Sequence, residues 1–507
     1  MTSDRAASRA AAPADVQRAR LDPEREGGAR HGIAAPRGLS DPGSHGARFT
    51  RMFPFLAACD PGDRAVEALA QRMLDAASGT VESLEGHIPA AYTYLGQFVD
   101  HDITFDPTSK IDGDNDPDAL VNFRTPRLDL DSLYGSGPAD QPFLYDWDDE
   151  ADPGVRLLVG RNPPDGISAT EDLPRNWQGR ATIGDGRNDE HLIIAQLHLL
   201  MMRFHNAVVD GLRGDAKRDR LTTGELFDEA HRSVRWHYQW LVVHDFLEQI
   251  IGASLWETML PRIQRDGDEA AHDAGTRRAW HGAPAIPIEF SAAAYRFGHS
   301  MVRRSYRVSP RAPSATIVPP KAPSNPAHLG GFRRLPKELQ VDWPEFLSRQ
   351  KSLVLDHLLA KPLFTLPPDK VSLARLNLQR GRALGLPCGT AVARAMGQDE
   401  LSPGELLPDD LWPDDGSQER KNIVRCPPLW FYLLREAHAK GAGGTTLGPT
   451  GGRIVAEVLV GLLEADPRSY LHHPTPWRPN LGPRPGTFEL ADLVSFAPAL
   501  LSERPES

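Results

Sequence analysis

Cysteine is nearly absent from this chain: Cys59, Cys388 and Cys426 are the only three in 507 residues. An odd number of widely spaced thiols makes no disulfide framework, and without a CxxC pair no thiolate metal site is expected. No block of Lys and Arg builds a basic face. The formal charge of −11 therefore argues against nucleic-acid binding, which needs concentrated positive charge. No stretch approaches the ~18 uninterrupted apolar residues of a membrane span, and no apolar segment follows a basic start at the amino terminus. These absences predict a soluble, cytoplasmic protein without a transmembrane segment, with non-classical secretion as the alternative. Alternating apolar and polar runs of the β kind are scarce as well. What is present is an ordinary globular composition, 40% hydrophobic and 25% charged, with enough apolar residues for a large core.

Residues 1–48 are rich in Ala, Arg, Gly and Pro and almost devoid of large apolar side chains, which predicts a disordered arm. Helical periodicity is clearest at 189–212, where Ile193, Leu197, Leu200, Met201 and Phe204 recur at steps of three and four. It returns at 222–252, where Thr222 and Glu225 supply a cap and Val234, Tyr238, Leu241 and Phe246 an apolar face. Further helices are expected at 64–77, 287–305, 343–360 and 453–465, with Pro-rich loops at 308–324, 361–368 and 402–414. Together these predict a mainly α protein with little β, built as one large domain.

The stretch YLGQFVDHDITFD, residues 94–106, is the most unusual. On a helix over 92–103, Gln97, Asp100 and His101 share one face while Asp102 points about 100° away from His101. Their neighbours Leu95, Phe98, Val99 and Ile103 are apolar, and buried polar groups cost free energy unless partnered. The cluster therefore implies a cavity with something in it. In RTPRLDLDSLYGS, 124–136, Thr125, Asp129 and Asp131 present oxygens on an irregular loop, with the Arg127 carbonyl between them. Such a donor set suits Ca²⁺, a hard cation taking six to eight oxygens. Asp102, projecting off the back of the first cluster, would complete it. Three other pieces are weak alone: Arg187 and Glu190 at the start of the 189–212 helix read as a surface ion pair, His299 in YRFGH as a core histidine, and Asn377 in LNLQRGR as part of a helix end.

Taken in order, G-Q-x-x-D-H-D, T-x-x-x-D-x-D-x-x-Y-G-S, R-x-x-E opening a helix that ends in R-x-H-N, Y-R-x-G-H and L-N-x-Q-R-G-R resemble the animal-type haem peroxidases of the peroxidase–cyclooxygenase superfamily, including bacterial members. The resemblance implies a haem peroxidase domain over 49–500 and a short tail at 501–507. It implies haem b and Ca²⁺ as cofactors, with H₂O₂ and a small anionic or organic reductant as partners. His101 then corresponds to the histidine that moves a proton between the peroxide oxygens, Gln97 to its neighbour on the same face, and Arg187 to the arginine that stabilises charge as the O–O bond breaks. His299 corresponds to the iron ligand and Asn377 to the acceptor for its other ring N–H. Arg296 and Arg380 match positions that pair with haem propionates, and Asp100 and Glu190 match carboxylates that become ester-linked to haem. Asp102, Thr125, Arg127 through its carbonyl, Asp129 and Asp131 match the Ca²⁺ ligands.

Two departures stand out. His191 follows Glu190 where one mammalian member has a sulfonium-forming methionine, and Ala383-Leu384-Gly385 replaces Asp-His-Gly after R-G-R. The alternatives are a fatty-acid dioxygenase of the cyclooxygenase type and a non-catalytic, peroxinectin-like adhesion protein. The dioxygenase places a radical-forming tyrosine three residues before the iron-ligating histidine; here that residue is Arg296, and Tyr295 is one step earlier.

Overall fold

The computed structural model describes residues 47–74, 85–105, 120–162, 167–169, 171–214, 221–264, 284–319, 327–366 and 371–497. The arm predicted at 1–48, except its last two residues, and the 501–507 tail lie outside them. Among the described residues the architecture is helical, with four two-stranded antiparallel ribbons as its only sheets. One continuous apolar core takes side chains from Phe49 through Ala497.

Four long helices carry that core. Ala90–Ile103 begins after Pro89 and stops where Thr104 turns extended. Only Gln97 and Asp100 of its fourteen residues escape full burial, so this helix has no solvent face to spend on charge. Leu192–Arg213 is apolar and long enough to cross a membrane, yet 89% of its most apolar window is buried inside the protein. Its start is capped by His191, whose Nδ1 accepts from Ile193 N and whose ring stacks on Tyr94 at 5.3 Å. Thr223–Leu241 opens with the expected capping box between Thr222 and Glu225 and runs through a π turn, Val242–Phe246, into Leu247–Ile251. Pro449–Ala465 has no cap of its own. The buried Glu436 carboxylate of helix Leu429–Lys440 accepts instead from Thr450 N and Gly451 N at 2.9 and 3.1 Å.

Two expected helices are broken. The 287–305 stretch is a single turn, Ile288–Ser291, followed by a 3-10 segment, Ala294–His299. Ala293 leaves helical geometry between the two, although the alanines around it favour a helix, so the break is set by tertiary contacts rather than by local propensity. The 343–360 stretch is helical only over Trp343–Arg349. It then pairs Lys351–Leu353 with Glu85–Pro89, because the strand next to the Ala90–Ile103 helix needs a partner.

The reading of the cysteines also needs correction. The segment before helix Asp63–Arg72 folds over the turn after helix Leu373–Ala383, with Cys59 N donating to Leu386 O at 2.7 Å. Arg51 reaches Leu384 O and Gly385 O at 3.2 and 3.3 Å, within the Ala383-Leu384-Gly385 stretch. This fold-back brings Cys59 beside Cys388 and Cys426, a convergence that spacing along the chain does not report.

Candidate functional site

His101 lies buried on the Ala90–Ile103 helix and its Nδ1 is 2.7 Å from Asn188 Oδ1. An amide oxygen only accepts, so Nδ1 carries the proton and Nε2 keeps its lone pair. Asn188 is held in turn by its amide nitrogen, 3.0 Å from His198 Nδ1. Burial, reinforced by the nearby Arg187 charge, pushes the His101 imidazole down to about 4, so it is a neutral base at pH 7.

Arg187 sits in a 3-10 turn, Gly186–Asp189, just before the Leu192–Arg213 helix. Its Nη2 donates to His101 O at 2.9 Å and to Asp185 Oδ2 at 2.7 Å, while Nε donates to Asp185 Oδ1 at 3.1 Å. The guanidinium also lies 4.6 Å above the Phe105 ring. Burial alone would raise the Asp185 carboxyl, but hydrogen bonding to Arg187 and the charges of Arg187 and Arg124 hold it well below the usual range. Gln97 Nε2 donates to Glu190 Oε1 at 3.2 Å, and burial moves the Glu190 carboxyl upward. Asp100 Oδ1 accepts from Thr104 Oγ1 at 2.8 Å.

Asp100 and Arg187 line an open cavity of about 170 Å³ together with Arg296 and Arg380, which come from the 3-10 segment and from helix Leu373–Ala383. His299, on the same 3-10 segment, has Nδ1 2.9 Å from Asn377 Nδ2. The expected partners thus meet, but with the amide nitrogen rather than the oxygen facing the ring. A half-turn of the amide exchanges two groups of nearly equal size and presents the acceptor. Burial and the Arg296 charge lower the His299 imidazole to about 3, so it is neutral and able to act as a ligand. Tyr295 packs in an aromatic cluster, 4.7 Å from Phe290 and 6.4 Å from Phe246 between ring centroids, and burial, then the Asp100 charge, raise its phenol.

Behind His101, the carboxylates of Asp102, Asp129 and Asp131 converge, their nearest oxygens all within 4.8 Å of one another. Leu130 adopts φ 63°, a left-handed conformation unusual for a branched side chain, and this turns Asp129 and Asp131 to the same side. Asp102 accepts from Leu130 N and Ser132 Oγ at 3.2 and 3.1 Å, and Thr125 Oγ1 donates to Asp129 Oδ1 at 2.6 Å. Burial, then mutual repulsion with Asp131 and Asp129, drives the Asp102 carboxyl far upward; burial, then Asp129, pushes Asp131 up to about 7 against the pull of Arg124. Three buried acids so placed, with Asp131 Oδ1 lacking a hydrogen bond, fit an oxygen-seeking cation.

Asn188, His198, Asp185 and Arg124 escaped the reading of the sequence. Asn188 and Asp185 flank Arg187 in GDGRND, a turn-like string whose polar residues give no local sign of which will be buried. Arg124 joins the two halves: Nε donates to Asp185 Oδ2 at 2.9 Å and Nη1 lies 3.6 Å from Asp131 Oδ1.

The family model described as "Animal haem peroxidase" matches residues 110–418, which takes in Arg187, His299 and Asn377 and begins after the helix that carries His101. Human thyroid peroxidase is 27% identical over 294 residues, covering 54% of this chain and 30% of that protein. Chorion peroxidase of Drosophila melanogaster is 27% identical over 329 residues, covering 63% and 37%. The chain thus spans about a third of the length of these relatives. Among solved structures, peroxidase A from Dictyostelium discoideum aligns with TM-score 0.54 at 16% identity, over 84% of this chain and 89% of that one. Oryza sativa fatty acid α-dioxygenase aligns with TM-score 0.57 at 16% identity, over 84% and 76%, a likeness of fold alone.

Proposed function

This chain belongs to the animal haem peroxidase family, and from that premise we propose that it is a haem peroxidase, reducing H₂O₂ to water while oxidising a small anion or organic donor. The observation that carries the reading is His101: neutral, its Nδ1 fixed by Asn188, with Arg187 bonded to its own carbonyl.

Haem fits the residues present. His299 would hold the iron through Nε2 once Asn377 engages Nδ1, and Arg296 and Arg380 would meet the propionates from the cavity wall they share. Asp100 and Glu190 would be the carboxylates for any ester links to it. When bound, haem would supply a redox-active iron centre. His101 Nε2 takes the proton from one peroxide oxygen and returns it to the other, which leaves as water. Arg187 commits Nε and Nη2 to Asp185 and His101 O, which aims its fixed positive charge into the cavity, where it stabilises negative charge on the departing oxygen. Gln97, tied to Glu190, orders small molecules beside His101. For Ca²⁺, the donors are Asp102, Thr125, Asp129, Asp131 and the Arg127 carbonyl. Against tyrosyl-radical dioxygenation stands the residue three before His299, which is Arg296 and not tyrosine; Tyr295, one step earlier, packs among Phe290, Phe246 and Phe297.

Absorption spectra of haem-reconstituted wild type and His299→Ala test the reading. The variant should lose or shift the Soret band. An unchanged spectrum would mean that another residue binds the iron. Haem that stays with the wild-type protein through acidified-acetone extraction would support the ester links, and free haem in the organic phase would remove them.

A further inference from the structure

The chain's three cysteines converge on one point, their sulfurs all within 4.8 Å of one another. Cys426, at the end of helix Gln418–Arg425, lies in covalent reach of both others, with Cα–Cα separations of 5.9 Å to Cys59 and 5.3 Å to Cys388. Both separations fall within the range a disulfide spans. A sulfur forms one disulfide, so Cys426 serves two partners in turn and one thiol is always left over. Cys59 Sγ also lies 3.1 Å from Cys426 O, which gives the Cys59 thiol a hydrogen-bond acceptor while Cys426 is paired with Cys388.

Cys388 and Cys426 are half-buried and so partly open to solvent, and the more buried Cys59 borders a narrow cavity of about 10 Å³ that is also lined by Asn377, Arg382 and Trp430. Trp430 in turn packs edge-on against His299, at 6.5 Å between ring centroids.

We propose that Cys59, Cys388 and Cys426 form a thiol–disulfide exchange site, oxidised by hydroperoxides and distinct from the peroxide chemistry of His101. Formation of the bond balances as two thiols plus H₂O₂ giving one disulfide and two waters. Exchange follows when the leftover thiolate attacks Cys426 Sγ: one S–S bond forms, the other breaks, and the displaced cysteine leaves as thiolate. The two pairings differ in reach. Cys59–Cys426 closes 367 residues and pins the segment that Arg51 anchors to the end of helix Leu373–Ala383, whereas Cys388–Cys426 closes only 38. The first pairing therefore stiffens the element that carries Asn377 and Arg380.

Non-reducing peptide mapping with thiol titration, on the full chain before and after treatment with H₂O₂, tests this. Reduced protein should titrate with three thiols and oxidised protein with one, and both the Cys59–Cys426 and Cys388–Cys426 peptides should be found. Cys59→Ser and Cys388→Ser should each oxidise to a single disulfide with no thiol, while Cys426→Ser should keep two thiols. Three thiols surviving peroxide, one pairing alone in the wild type, or a Cys59–Cys388 bond in Cys426→Ser would each overturn the proposal. So would stoichiometric zinc or copper protecting the thiols, which would make the cluster a metal site. The wild-type map decides the matter even if a variant fails to fold.

Discussion

At the scale of single residues, the proposed chemistry turns on which nitrogen of His101 holds its proton, and Asn188 decides that. Its amide oxygen is locked toward His101 Nδ1 because its amide nitrogen is engaged by His198. Asn188→Ala should slow reaction with H₂O₂ by roughly 10-fold, the lower end of losses seen when partners that orient functional histidines are removed. The same bond favours protonated His101, so its loss should also move the acid limb of the rate profile to lower pH, a shift that a purely structural lesion would not give. In the wild type the sign is equally plain. Burial and Arg187 depress the imidazole, so His101 remains a base through neutral pH and is lost as a base only when pH falls through about 4. Stopped-flow rates should therefore be flat from pH 8 to about 5 and decline below. A midpoint near the ordinary histidine value of about 6.5 would contradict this environment for His101.

At the scale of elements, the Ala90–Ile103 helix and the 124–136 loop act as one unit joined at two places. Asp102 accepts backbone and side-chain hydrogen bonds from the loop on one side. On the other, Arg124 links Asp131 to Asp185, which holds Arg187. Adjacency of His101 and Asp102 is visible in the sequence, but the Arg124–Asp185 route is not, because the residues are 61 apart and nothing in the pattern around either one points to the other. A cation among the three carboxylates would offset their repulsion and steady both catalytic groups together. Asp129→Ala should then lower the melting temperature, abolish stoichiometric calcium and reduce turnover, although Asp129 does not line the cavity beside Arg187. Calcium-free wild type with full activity and an unchanged melting curve would remove the cation from the account.

At the scale of the whole molecule, the sequence was readable wherever a local pattern carried the information. The helix over 92–103, the Thr222–Glu225 cap and the apolar period of 189–212 are each set by neighbours within a few residues, and each is found in place. Legibility failed where distant segments decide the outcome. Residues 351–353 leave the helix to pair with Glu85–Pro89, and Cys59 meets Cys426 only because the segment around Arg51 folds over the 384–386 turn. The site shows the same division: motif residues on one helix face were named, while Asn188 and Arg124, whose roles exist only in three dimensions, were not.

The central claim is that His101 activates peroxide on haem held by His299. Stopped-flow mixing of H₂O₂ with haem-loaded wild type and His101→Ala tests it most directly. The account predicts a loss of about 10²–10⁴-fold in the rate of haem oxidation, the usual contribution of a general acid–base, with the resting Soret band unchanged because His299 is untouched. A variant that reacts within a few-fold of wild type, with its resting spectrum intact, would contradict the account.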